Sequence, residues 1–129
     1  MNLVCIKGIV FSGKGEGSEF IRLPWVKKQI SEKMNFIPYP GTLNVKLSEE
    51  GIRAKKLLRR ANAVDIQPVA GFCPGKCYRA WLLDNVECAV VVPEVARYPS
   101  NVLEIVAPTS LRDKLNLRDG DEIEIKIAL

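Results

Sequence analysis

Seven short apolar runs, punctuated by turns, leave this chain few ways to fold. They cover residues 3–11, 42–47, 63–69, 77–83, 86–92 and 102–106, with a last run in which Ile123, Ile125 and Ile127 alternate with charge. Most are rich in branched side chains or alternate apolar with polar, the signature of strands. Helical periodicity is scarcer. Val26, Ile30 and Met34 recur every fourth position between Pro24 and Met34, one helical stripe that begins on a proline. Pro38, Pro40 and Gly41 bar that helix from continuing. Residues 49–60 predict a second helix, weakened by Gly51, and Thr109 to Asp113 resembles a capping box opening a short third one to Leu115. Asp84-Asn85 and Asp119-Gly120 read as tight turns. Strands never alternate with helices at dinucleotide-binding spacing, so a doubly wound parallel sheet does not fit. The pattern predicts a mainly β, mostly antiparallel small barrel with a few short helices. At 129 residues it is read as one domain, residues 1–129.

Composition excludes several functions. The longest apolar run, residues 88–93, is far short of the ~20 residues that cross a bilayer. The first residues have no basic region or small-residue cleavage site, so a cytoplasmic protein is expected, with no membrane partner. There is no histidine, which removes Ser-His and Cys-His catalysis and leaves zinc only all-thiolate or carboxylate sites. Of four cysteines, Cys5 and Cys88 lie in strand-like runs and are expected to be buried. Cys73 and Cys77 flank a turn that is short enough for a disulfide yet expected to stay reduced in a cytosol. The net charge of +4 is concentrated at Arg53, Lys55, Lys56, Arg59 and Arg60, with a smaller pair at Lys27 and Lys28. No aromatic residue interleaves the larger block, which reads as a solvated helix face rather than a nucleic-acid site.

Three polar clusters call for explanation. Gly13, Lys14, Gly15, Glu16, Gly17 and Ser18 form a glycine-rich loop whose N–H groups can converge on an oxyanion, though alternate glycines equally make a mobile hairpin. It is neither a Walker loop nor a Rossmann fingerprint. Thr42 and Asn44 lie two apart on a strand, with two neutral oxygens on one face; this suits either a magnesium ion completed by phosphates and water or a plain solvent-facing edge. Glu104 interrupts an apolar strand, where alternation makes exposure the cheaper explanation and a site the alternative. Thr109, Ser110, Leu111 and Arg112 follow, offering free N–H groups and a guanidinium to an anion, or simply a capped helix.

In order and wording these segments resemble the archaeal CTP-dependent riboflavin kinases. The likeness rests on residues 12–17, on Pro38-Tyr39-Pro40-Gly41-Thr42-Leu43-Asn44, and on Leu103-Glu104-Ile105-Val106-Ala107-Pro108 followed by Leu111-Arg112. It extends to Val90-Val91-Val92-Pro93 and Leu117-Arg118-Asp119-Gly120-Asp121, with residues 49–75 least similar. The resemblance implies a six-stranded cradle-loop barrel that transfers the terminal phosphate of CTP to the 5′-hydroxyl of riboflavin, giving FMN and CDP. It further implies that residues 13–18 and 109–112 hold the nucleotide, that Thr42 and Asn44 hold Mg2+, and that Glu104 contacts the flavin and is the candidate base. A threonine of that family, another flavin contact, is replaced by Ala96. One lost hydroxyl contact is worth about 1 kcal/mol, and Arg97 or Tyr98 stand near enough in sequence to replace it. A monomer acting on two small molecules is expected. The competing expectation is a non-catalytic flavin- or nucleotide-binding sensor on the same barrel.

Overall fold

The computed structural model describes residues 2–13, 15–96 and 98–129, with the backbone alone at Asp84. Its strands are β1 (Leu3–Phe11), β2 (Leu43–Leu47), β3 (Val64–Ile66), β4 (Gly75–Leu82), β5 (Val86–Pro93), β6 (Val102–Val106) and β7 (Glu122–Ala128). The helices are α1 (Glu16–Arg22), α2 (Pro24–Met34), α3 (Glu49–Lys55) and α4 (Leu111–Leu115). Every strand pairing is antiparallel. The sheet runs β4-β5-β6-β2-β1-β7, and β7 pairs back onto β4 through Ala80↔Ile127, closing a six-stranded barrel. β3 lies outside that ring, on the other end of the same β4 edge.

Period-two alternation decides what fills the barrel. Val4, Ile6 and Val10 of β1, Leu43, Val45 and Leu47 of β2, Leu103 and Ile105 of β6, and Ile123, Ile125 and Ile127 of β7 form one buried cluster. Cys5, one step out of phase with Val4 and Ile6, is exposed, contrary to the expectation of burial; Cys88 is buried as expected. All four cysteines are free, and burial pushes the Cys77 and Cys88 thiols up to about 12.

A second core lies outside the barrel. Phe20 and Ile21 of α1 and Val26, Ile30 and Met34 of α2 cover the outward residues Cys77, Ala89, Val91 and Val106 of β4, β5 and β6. The α2 stripe and boundaries match the periodicity, but the helix stops at Asn35, in the left-handed conformation (φ 63°), three residues before the first proline. α1 is the element the sequence conceals: residues 13–18 read as a glycine-rich loop, yet Glu16–Arg22 is helical.

Smaller departures have local causes. β3 is three residues rather than seven, because Pro68 cannot extend the ladder. The helix expected over 49–60 is α3 followed by a 3-10 turn, Lys56–Arg60, and Asn85 (φ 62°) ends a 3-10 turn rather than a two-residue hairpin. Arg53, Lys56, Arg59 and Arg60 form the expected solvated face. Lys55 alone turns inward. Among the described residues no helix is long and apolar enough to cross a membrane.

Candidate functional site

Ladder register brings the polar clusters together. Asn44 on β2 is paired with Phe11 of β1 on one side and with Glu104 of β6 on the other. Residues 43, 45, 103 and 105 point into the barrel, so Asn44 and Glu104 share the outer face. That face is not open to solvent. α1 and the loop before it lie across it, leaving Glu104 1% and Asn44 5% exposed. The outer face of β2 is polar, as its alternation predicts. The exposure that alternation favoured for Glu104 and the solvent-facing edge weighed for Thr42 and Asn44 are corrected here, because alternation does not reveal a covering helix.

Glu104 lies at the centre of this arrangement. Its Oε2 accepts from Gly17 N at 2.7 Å and from Tyr98 Oη at 2.8 Å. Its Oε1 accepts from Thr42 Oγ1 at 2.9 Å and Ser18 N at 3.2 Å. A carboxylate offers about four acceptor positions, and all four are used. The glycine loop therefore presents its donors to an oxyanion, as its composition predicts, but in this structure the oxyanion is the protein's own. Gly15, at the N-cap of α1, brings no side-chain cap, and Glu104 does that work from another strand.

The glycines are needed for this approach. A methyl group on Gly15 would fall on Glu104 Oε1, and one on Gly17 would stand 2.6 Å from Oε2. Gly17→Ala is therefore expected to push the carboxylate off the helix start, at a cost of about 1–3 kcal/mol. Urea denaturation reads this, and an unchanged midpoint would show that the carboxylate does not sit there.

Around the carboxylate the other groups are ordered by its charge. Burial first, and the Glu104 charge second, raise the Tyr98 phenol well above its usual range, so it stays a donor. Lys55 Nζ lies 5.2 Å from the Tyr98 ring centroid and donates to the carbonyls of Val102 (2.9 Å) and Pro99 (3.2 Å). Burial lowers its pKa, while Glu104 works in the opposite direction.

Asn44 shows the clearest unmet need. Its Nδ2 donates to Gly13 O at 2.6 Å, while its Oδ1 is buried and, among the described residues, has no hydrogen-bond partner. Such an oxygen costs stability unless something else occupies it. Thr42 Oγ1 spends its proton on Glu104 and keeps its lone pairs. Two neutral oxygens, one of them orphaned, fit a hard divalent cation that takes its remaining ligands from phosphates and water. Among the described residues no group of three or more His, Cys, Asp or Glu offers a different metal site.

Two hollows flank the Thr42–Glu104 hydrogen bond. One, of about 210 Å³, is lined by Tyr39, Gly41, Thr42, Ala107 and the segment 109–112. The other, of about 320 Å³, is lined by Phe11, Gly13, Gly15, Asn44, Pro99 and Glu104. Ser110 caps α4, accepting from Asp113 N at 3.4 Å, so the capping reading holds. Arg112 Nη2 donates to Asp119 Oδ1 (2.6 Å) and Phe11 O (3.1 Å), bracing the end of β1 where the glycine loop departs. The hydrogen bond from Ser12 Oγ, and after it Arg112, hold the Asp119 carboxyl below its usual range. Ala96 is an exposed turn residue of the β5–β6 loop, and Lys14 and Arg97 lie outside the described residues. Spacing did not single out Lys55 or Tyr39, and Tyr98 entered only as a neighbour of Ala96. Their placement depends on tertiary contacts.

These features define a cradle-loop barrel with a covered polar site on its outer wall, flanked by two ligand-sized hollows. The chain belongs to the CTP-dependent riboflavin kinase family, whose model, described as "Domain of unknown function DUF120", matches residues 10–127. It is 40% identical to a riboflavin kinase of Methanosarcina barkeri over 98% of this chain and 58% of that protein. It is likewise 41% identical to a riboflavin kinase of Methanosarcina acetivorans (95% and 53%) and 38% identical to that of Archaeoglobus fulgidus (96% and 54%). The chain spans a little over half the length of these relatives.

Proposed function

We propose that this chain is a CTP-dependent riboflavin kinase, forming FMN and CDP from riboflavin and CTP. The observation that carries the reading is the shared wall: Thr42, lining one hollow, is hydrogen-bonded to Glu104, lining the other. A donor nucleotide beside residues 109–112 and an acceptor beside Glu104 would meet across that bond. Such transfer depends on positioning and charge neutralisation rather than on a covalent intermediate.

Residues 109–112, with the glycine loop at the junction of the two hollows, would hold the phosphates while Gly17 N and Ser18 N stay on Glu104. Thr42 and Asn44 would hold a magnesium ion, which when bound neutralises phosphate charge. Glu104 orients the 5′-hydroxyl of riboflavin and takes its proton as the new O–P bond forms and CDP leaves with the electrons of the broken bond. With no histidine in the chain, this buried carboxylate is the base best placed for that task.

Two hollows predict two substrates bound at once. Riboflavin titrated by its fluorescence should bind whether or not CDP is present, and initial rates should give intersecting lines. Mutual exclusion of CDP and riboflavin, with parallel lines, would contradict the arrangement. The exposed methyl of Ala96, where the family carries a hydroxyl, favours a second reading, a sensor module. That reading predicts flavin binding without turnover.

A further inference from the structure

The carboxylate of Glu104 has no vacant acceptor position, so an acceptor hydroxyl can reach it only by displacing one of its four donors. The donors differ in how freely they can leave. Gly17 N and Ser18 N are main-chain groups at the start of α1, held by Phe20 and Ile21 in the outer core. Thr42 leads into β2, and its hydroxyl is one of the two oxygens that fit a cation. Tyr98 is the remaining donor: its side chain comes from the loop between β5 and β6, and one rotation about χ1 withdraws the phenol without disturbing a strand.

We propose that Tyr98 is a place-holder: its hydroxyl occupies the position on Glu104 that the acceptor hydroxyl takes, and it yields when the acceptor enters the hollow beside Gly13, Asn44 and Pro99. The inference rests on the riboflavin kinase reading for the identity of the acceptor. Without a donor in that position, the unliganded protein would bury a carboxylate with one oxygen under-satisfied. Lys55 keeps the place-holder ready. Its ammonium lies over the ring, and its bonds to the carbonyls of Pro99 and Val102 fix the loop from which Tyr98 projects. Tyr98 thus tunes acceptor affinity by competing with the substrate for one hydrogen bond, a role distinct from supporting the fold.

The expected signature is a gain on mutation. Tyr98→Phe removes the competing hydroxyl and keeps the ring, so riboflavin should bind about fivefold more tightly, the worth of one net hydrogen bond. Flavin fluorescence titration measures it, and unchanged or weaker riboflavin affinity overturns the place-holder. A second measurement needs no variant to fold. With 3-fluorotyrosine incorporated at the three tyrosines, the Tyr98 19F resonance should shift on adding riboflavin and stay in place on adding CDP alone. A resonance indifferent to riboflavin overturns the proposal. If the unmodified protein binds riboflavin and forms FMN while both tests fail, the place-holder alone is wrong. If it neither binds riboflavin nor forms FMN, the kinase reading has failed and takes the place-holder with it.

Discussion

Replacing Glu104 with glutamine is expected to lower FMN formation by about 10²–10⁴-fold, the usual contribution of a positioned proton acceptor. The same substitution should also weaken the fold, for a reason specific to this site. Each carboxylate oxygen faces one main-chain N–H that cannot turn away, Ser18 N at Oε1 and Gly17 N at Oε2. Whichever way a glutamine amide is flipped, its NH₂ opposes one of them. Tyr98 and Thr42 can rotate their hydroxyls; the backbone cannot. One main-chain donor is left unpaired in a buried setting, at about 1–3 kcal/mol. Turnover and urea stability should therefore fall together, with the start of α1 losing amide-exchange protection first. Wild-type turnover in the variant would remove Glu104 from the reaction, and wild-type stability would remove it as the cap of α1.

At Asn44 stability and turnover should separate. Asn44→Leu keeps the volume but removes the orphaned Oδ1, whose burial without a partner is a standing cost, along with the bond from Nδ2 to Gly13 O. These two changes oppose each other at about 1 kcal/mol each, so the unfolding midpoint should scarcely move. Turnover, by contrast, should fall by about 10²-fold or more, since weakening even an outer contact to a metal costs 10–100-fold. Raising the magnesium concentration should recover part of the loss. A variant that unfolds readily yet keeps its activity would show that Asn44 is a structural residue and holds no ion. Stability kept where function is lost is the pattern expected of a residue placed for function rather than for packing.

How much of this was legible beforehand follows from the range of the interactions concerned. β1, α2 and β6 have the residues their alternation or fourfold stripe assigns them, because each pattern is local and each apolar face meets a core. Closure of the barrel, too, follows from short antiparallel strands, half of whose connections carry no α-helix. α1 was not legible. Its first turn holds a glycine, and its cap is Glu104, 87 residues away from Gly17. For the same reason alternation assigns Glu104 to an exposed face although it is buried: the pattern tells which way a side chain points and is blind to what covers it. Thr42, Asn44, Glu104 and the glycine loop were recognisable as polar anomalies in apolar or turn-rich surroundings, and the ladder Phe11–Asn44–Glu104 brings them together. Lys55 was hidden in a basic block whose other members are solvated.

Chromatographic assay of FMN and CDP, after incubating the chain with riboflavin, magnesium and CTP and with ATP in a parallel reaction, decides whether the chain is a CTP-dependent riboflavin kinase. One CDP for each FMN, dependence on magnesium, and poor transfer from ATP are the predicted results. Riboflavin recovered unphosphorylated with every nucleoside triphosphate would contradict that assignment.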